Sequence, residues 1–116
     1  MASAVTLPPV SNREDWDETL QLFDPDTGEA FDLGAVTALT LVVWDPDSFA
    51  TVLSGALNAG ITITDSDQGV IAIHFAAGSM QALAPKNHAF RLGMTSGGAT
   101  KDLILPGILP VEDGGP

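Results

Sequence analysis

The sequence has no cysteine and no tyrosine, and only four of its 116 residues are basic. Without cysteine the chain can form neither a disulfide nor a thiolate metal site. The two histidines, His74 and His88, lack the spacing of a metal-ligand pair and are interpreted as surface or edge residues, possible cross-strand neighbours at most. There is no Gly-x-Ser-x-Gly motif and no phosphate-binding glycine loop. These absences predict a protein that is not an enzyme and holds no cofactor.

Basic charge is also scarce relative to acidic charge. Fifteen acidic residues face four basic ones, which gives a formal net charge of −11. Lysine and arginine supply most of the affinity for nucleic acid phosphates, and anionic membranes attract the same side chains. We therefore expect neither nucleic acid nor a membrane surface as a partner. The acidic excess either serves solubility or forms a patch that docks on a basic partner.

Long hydrophobic runs are missing as well. No apolar run approaches the roughly 20 residues that span a bilayer, and no signal peptide is expected. Apolar residues nevertheless make up 45% of the chain and charged residues 16%, which indicates one folded domain. We predict an extended N-terminal arm at 1–12, a β-sandwich domain at 13–112 and a flexible C-terminal tail at 113–116. The arm is inferred from Pro8-Pro9, which favours an extended conformation.

Short apolar runs that alternate with turn signals fill the rest of the chain. Their spacing of roughly 8–12 residues predicts an all-β fold, an antiparallel β-sandwich (Ig-like or jelly-roll-like) of about eight short strands. Residues 79–83 are the one predicted short helical turn, and 54–60 is a predicted loop. The predicted strands include 30–33, 49–53 and 101–105. In the strand at 70–76, strict alternation assigns Ile71, Ile73 and Phe75 to the core face.

Two pairs of aspartates are weak candidates for calcium ligands. Asp24 and Asp26 precede a glycine, as do Asp65 and Asp67, and alternate carboxylates of this kind begin calcium-binding loops. Both loops lack the third acidic ligand and the closing glutamate of such a site. Aspartate and glycine also favour turns for local reasons, so the main expectation is a plain turn at each position and no bound metal.

Five residues are candidates for an interface with other proteins. Pro8, Pro9 and Val10 lie in the predicted arm, which either stays free or packs on a neighbouring subunit. Trp16 and Trp44 are of the type that anchors interfaces, although their places in or at the end of strands favour core packing. Sheet edges are a further means of assembly, because an unpaired edge strand accepts a strand from a partner.

The order of segments carries a resemblance that covers about residues 14–112. The matching segments are Trp16-x-x-Thr19-Leu20, Asp26-Thr27-Gly28-x-x-x-Asp32-Leu33, Gly60-Ile61-Thr62-Ile63, Gly69-Val70-Ile71-Ala72-Ile73, Met80-x-Ala82-Leu83, Ala89-Phe90-x-Leu92, Gly97-Gly98 and Leu105-x-Gly107-Ile108-x-Pro110-Val111. In this order they resemble the small β-sandwich proteins of tailed bacteriophages, similar to the N-terminal domain of upper baseplate proteins. The tyrosines that this family usually has before the glycine pair are replaced by His88-Ala89-Phe90-Arg91-Leu92, and its Leu-Thr-Gly-Ala segment is reduced to Leu33-Gly34-Ala35.

The resemblance implies a non-enzymatic structural protein of the virion, with no catalytic residues to transfer. We expect a place in the tail, baseplate or fibre-attachment region, with other virion proteins and further copies of the chain as partners. One alternative is a capsid cement or decoration protein that stabilises the head. A second alternative is a stand-alone carbohydrate-binding module, for which two tryptophans and no tyrosine make a poor aromatic platform.

Overall fold

The computed structural model describes residues 3–24 and 26–113, and it confirms an all-β chain. Within these two ranges, side chains are described from Val5 onward, except for that of Pro106. The elements in chain order are β1 (Ser3–Thr6), β2 (Val10–Ser11), β3 (Trp16–Gln21), β4 (Val36–Trp44), β5 (Thr51–Leu57), β6 (Gly60–Asp65), β7 (Val70–Phe75), α1 (Ala77–Met80), β8 (Asn87–Ser96) and β9 (Ala99–Glu112). Apart from Asp113, the predicted C-terminal tail lies outside the described residues.

The strands form one curled, mixed sheet in the order β1-β9-β8-β4-β5-β6-β7-β3, and β2 also pairs with β9. Most neighbours are antiparallel, as in the hairpins β4–β5, β6–β7 and β8–β9. Three pairs of the described strands are parallel: β1 with β9, β2 with β9, and β5 with β6. The antiparallel sandwich, Ig-like or jelly-roll-like, is therefore not confirmed, because the N-terminal segment and the β5–β6 link add parallel pairs that consecutive hairpins lack.

One face of the curled sheet holds the core, as the period-2 alternation of side chains requires. In β7 the predicted face is confirmed: Ile71 and Ile73 are at most 1% exposed and Phe75 is 8% exposed. The same alternation buries Leu39, Leu41 and Val43 in β4. Burial of these faces is the main source of stability, at roughly 1.5–3 kcal/mol for each large apolar side chain.

Strand β9 continues through Pro106, where the sequence predicts a break between two strands or a sheet edge. Ile104 pairs with Leu92 of β8, whereas Gly107 pairs with Phe90, so that two residues of β9 stand opposite one residue of β8. This arrangement is a β-bulge, and a bulge tolerates proline because its extra residue needs no ladder donor.

Three further predictions differ from the structure. The predicted strand at 30–33 is reduced to a single bridge between Phe23 and Ala30. The predicted loop at 54–60 is mostly strand, because β5 extends to Leu57. The helical turn begins two residues earlier than predicted, at Ala77, and consists of the four residues of α1.

Candidate functional site

The N-terminal segment is one edge of the sheet rather than a free arm. The Leu7 amide donates a hydrogen bond to the carbonyl oxygen of Ile108 at 2.9 Å. The Leu7 side chain is 4% exposed and packs in the hydrophobic core. The prediction of a separate arm at 1–12 is therefore corrected for the described residues. Sequence reasoning missed this contact because the alternation of Val5 and Leu7 around Thr6 covers only three residues before Pro8-Pro9, too few to predict a strand.

The predicted interface residues of this segment differ in accessibility. Pro8 and Pro9 are exposed, as an interface role requires. Val10 is half-buried and pairs in β2 with Val111 of β9, so it contributes to the sheet. Of the three, only the two prolines offer their side chains freely to a partner.

The two edge strands of the sheet, β1 and β3, differ in charge. The β1 sequence Ser3–Thr6 has no charged residue, whereas β3 contains Asp17 and Glu18. Charged side chains on an edge strand oppose pairing with another chain, so β3 is protected and β1 is not. Successive amides of a strand point to opposite sides. Because the Leu7 amide points to β9, the Thr6 amide faces the open side of the sheet.

An exposed cluster of Asp15, Asp17 and His74 lies beside the β3 edge. Their ligand atoms are all within 4.8 Å of one another, which makes them the one group of three potential metal ligands in the described part of the chain. Each of the three side chains already uses one ligand atom in a contact within the protein. Asp17 Oδ1 is 2.5 Å from His74 Nδ1, and Asp15 Oδ1 accepts a hydrogen bond from the Ala77 amide at 2.8 Å. The hydrogen bond to Asp17 raises the pKa of His74 above its usual 6.5.

The first calcium candidate, Asp24 and Asp26, surrounds a lysine ammonium group. Lys101 Nζ lies 3.3 Å from Asp24 Oδ1 and 2.8 Å from Asp26 Oδ2. The hydrogen bond from Lys101 holds the pKa of Asp26 below its ordinary value. The ammonium group between the two carboxylates provides the positive charge that a bound calcium ion would otherwise supply. Sequence reasoning did not pair these residues, because Lys101 is distant in the chain.

A second Asp-Pro-Asp sequence repeats the same arrangement with the other lysine. Lys86 Nζ lies 2.7 Å from Asp45 Oδ1 and 2.8 Å from Asp47 Oδ2. The Lys86 hydrogen bond lowers the pKa of Asp45, and the same contact raises the pKa of Lys86. Both lysines of the chain are therefore held by Asp-Pro-Asp loops. The repeated tripeptide and the equal number of lysines were the only sequence signals for this pairing.

The second calcium candidate forms a turn. Asp65 Oδ1 accepts a hydrogen bond from the Gln68 amide at 3.3 Å, and Asp67 is exposed. Gly69, with a φ of +69°, closes the hairpin between β6 and β7. An added Cβ at Gly69 would lie 2.6 Å from the carbonyl oxygen of Phe31, so the loop also requires glycine for space.

The aromatic and imidazole side chains agree with the sequence prediction only in part. Trp16 is 2% exposed and stacks on Phe75 with ring centroids 5.8 Å apart, which confirms the core packing that its place in a strand favours and excludes it as an interface anchor. His88 is 2% exposed, which corrects its assignment to the surface, and its Nε2 lies 2.8 Å from the Ala84 carbonyl oxygen. The two histidines are not cross-strand neighbours, since β7 and β8 are not adjacent in the sheet. Trp44 is half-buried and stays an interface candidate.

The sequence matches no protein family model and is significantly similar to no curated protein. Within residues 3–24 and 26–113, no helix has the length and apolar character needed to cross a membrane.

Proposed function

We propose that this chain is a non-enzymatic structural protein of a tailed-phage virion, which assembles with neighbouring subunits through its β1 edge. The resemblance in segment order suggests the tail, baseplate or fibre-attachment region as its location. Its partners are other virion proteins and further copies of the chain. The finer architecture of an Ig-like or jelly-roll-like sandwich is part of the same proposal, and it rests on the spacing of the strands together with the resemblance.

The observation that supports this proposal is the contrast between the two sheet edges. The β3 edge has two acidic residues within the strand, and Glu14 and Asp15 precede it. The β1 edge has no charge over Ser3–Thr6, and no strand of the described residues lies beside its outward backbone groups in the sheet order. An uncharged edge of this kind is the type that β-strand addition uses, because main-chain hydrogen bonds supply the affinity.

Repetition strengthens such a contact. A four-residue edge strand provides few hydrogen bonds, each of which contributes roughly 0.5–1.5 kcal/mol net. Copies arranged around a symmetric axis raise the effective concentration of each contact, so that weak contacts add to a stable ring. The carbohydrate-binding alternative loses support in comparison, because Trp16 lies in the core and cannot form a sugar platform.

The test is location in the particle combined with a matched pair of edge variants. Thr6→Pro removes the outward amide donor without removing a ladder donor to β9, whereas Thr6→Val keeps the donor. Edge strands tolerate proline, so both variants are expected to fold. We expect immunogold labelling of phage particles at the tail end for the wild type and for Thr6→Val, and a loss of labelling for Thr6→Pro with an unchanged melting temperature.

Other labelling patterns contradict specific parts of the proposal. Gold distributed over the head would replace the tail location with the capsid cement alternative. Equal incorporation of the two Thr6 variants would show that the β1 edge is not the contact. The antibody could also recognise the purified protein but label no virion, even after mild dissociation of the particles. That result would refute the proposal that the chain is a virion protein.

A further inference from the structure

Phe49 occupies a backbone conformation and an exposure that are both unfavourable for phenylalanine. Its φ is 61°, in the left-handed region, and it is 76% exposed. Bulky residues rarely adopt this region because their Cβ crowds the backbone. Backbone outliers of this kind concentrate at sites that bind ligands or partners. Folding of the isolated chain gives no reason for a phenylalanine at this position.

The other Asp-Pro-Asp loop shows what the turn itself requires. In the loop that begins at Asp24, the amide of Gly28 donates to the Asp24 carbonyl oxygen at 2.8 Å, and the φ of Gly28 is 75°. In the loop that begins at Asp45, the amide of Phe49 donates to the Asp45 carbonyl oxygen at 2.7 Å. The two turns have equivalent backbone hydrogen bonds, aspartates at the same two positions and a fifth residue in the left-handed conformation. Glycine satisfies this geometry without strain, so the aromatic ring at 49 is an addition to the turn.

An open apolar pocket lies beside the same loop. Its volume is about 240 Å³, and it is lined by Pro46, Asn87, His88, Ala89, Gly107 and Ile108. Ala89 and Ile108 are cross-strand neighbours on the outer face, and Ile108 is 38% exposed. A cavity of about 150 Å³ holds a benzene molecule in a protein core, so this pocket has room for a phenyl ring. Phe49 itself does not fill the pocket, since three quarters of its surface is exposed.

We infer that Phe49 of one copy inserts into the pocket of a second copy, and that the second copy returns the contact. A two-fold contact requires a ring and a complementary pocket on one surface. Pro46 lines the pocket and Phe49 projects from the same five-residue loop. A two-fold axis beside this loop would therefore place the Phe49 ring of each copy against the pocket of the other copy. This contact uses side chains of the outer face rather than the outward backbone groups of β1, although Gly107 and Ile108 also pair with β1. It does not depend on a role in a virion.

The area and the charge of this contact determine its strength. Each ring buries about 150–250 Å², so two rings with their pocket walls stay well below the roughly 1,200 Å² of a stable dimer. Each copy also carries a charge of −11, which opposes self-association. We therefore expect a weak, reversible dimer, with a dissociation constant of about 100 μM to 1 mM. Because salt screens the repulsion, dimerisation strengthens as the ionic strength rises.

Sedimentation equilibrium of the full chain tests this contact with variants that separate association from folding. Phe49→Ala removes the ring and keeps the strained backbone, whereas Phe49→Gly removes both. Because two rings are lost at once, both variants are expected to weaken dimerisation about 100-fold. Phe49→Gly is also expected to melt higher than Phe49→Ala, which excludes misfolding as the cause. Phe23→Ala removes another exposed phenylalanine, 46% accessible, and is expected to leave the dimer unchanged.

A variant of the pocket wall tests the other half of the contact. Ala89→Leu adds a larger side chain that fills the pocket. Neither Phe49→Ala nor Ala89→Leu is expected to dimerise alone. In a mixture, the intact ring of Ala89→Leu fits the intact pocket of Phe49→Ala. We therefore expect the NMR amide signals of Ala89, Gly107 and Ile108 in labelled Phe49→Ala to shift when unlabelled Ala89→Leu is added, and not when unlabelled Phe49→Ala is added.

Three results would overturn the inference. The first is a monomer at all protein concentrations up to about 1 mM in about 0.5 M salt. The second is a dimer that both Phe49 variants form as well as the wild type does. The third is a dimer that salt weakens, which would indicate a charge-driven contact with different residues.

Discussion

Replacement of Leu7 by alanine tests whether the N-terminal segment belongs to the core. Leu7 is 4% exposed, so alanine leaves a cavity among buried apolar side chains. Leucine-to-alanine changes at such sites cost about 2–5 kcal/mol, the larger losses occurring where the surroundings cannot close the cavity. The Leu7 amide remains bonded to the Ile108 carbonyl oxygen, so the measured loss reports the side chain rather than the backbone.

This cost converts into a large change in melting temperature. Unfolding entropy near 60 °C is about 2.1 cal/mol/K per residue, or about 0.24 kcal/mol/K for 116 residues. Leu7→Ala is therefore expected to lower the melting temperature by about 8–20 °C. The matched control is Thr6→Ala, an exposed position on the same edge, for which we expect a loss within about 0.5 kcal/mol.

The assay is thermal and urea unfolding of both variants, followed by tryptophan fluorescence, which reports on buried Trp16. The outcome that contradicts this prediction is a melting temperature of Leu7→Ala within a degree or two of that of Thr6→Ala. Such a result would mean that the segment is not docked on β9 in solution. The free arm that the sequence predicts would then be the correct description.

Three other predictions concern the core, a turn and an ion pair. Ile73→Asp places an unpaired charge at a position that is 1% exposed and is expected to cost several kcal/mol; an unchanged melting curve would contradict the assigned core face. Gly69→Ala and Gly97→Ala both impose strain at positive φ, but only Gly69 has backbone oxygens within 2.7 Å of the added Cβ, so it is expected to lose about 1–3 kcal/mol more in urea unfolding; equal losses would exclude the clash. The Lys86 hydrogen bond lowers the folded-state pKa of Asp45 below 3.8, so the stability advantage of the wild type over Asp45→Asn is complete above that pH and disappears as the pH falls through the folded-state pKa. An advantage that is the same at about pH 7 and about pH 2 would show that the pair does not stabilise the fold.

Local sequence patterns were sufficient to predict the strands, and their core faces, wherever apolar and polar residues alternate clearly. Ile71, Ile73 and Phe75 alternate with more exposed residues in β7, and the structure buries all three. The glycine pair at 97–98 and the Asp65–Gly69 segment both join consecutive strands, as turn chemistry predicts. These features depend on residues a few positions apart, so the sequence order itself contains them.

The ion pairs between the two lysines and the Asp-Pro-Asp loops could not be predicted from the sequence, because the paired residues are distant in the chain. Lys101 and Asp24 meet across 77 positions, and Lys86 and Asp45 across 41. No local pattern records which lysine meets which aspartate. Phe49 appeared as the start of a strand, because only the backbone shows that it occupies the position that glycine has in the related turn.

By itself the sequence determined the all-β class, the acidic charge and the core faces of the alternating strands, because each follows from composition or from a period of two residues. Only the tertiary structure decided that the N-terminal segment is an edge strand, that His88 is buried, and that both lysines are held by aspartates. Parallel pairing, burial and ion pairing depend on contacts between segments far apart in the chain. Their free energy arises only when the whole sheet closes over a common core, which no local stretch of residues specifies.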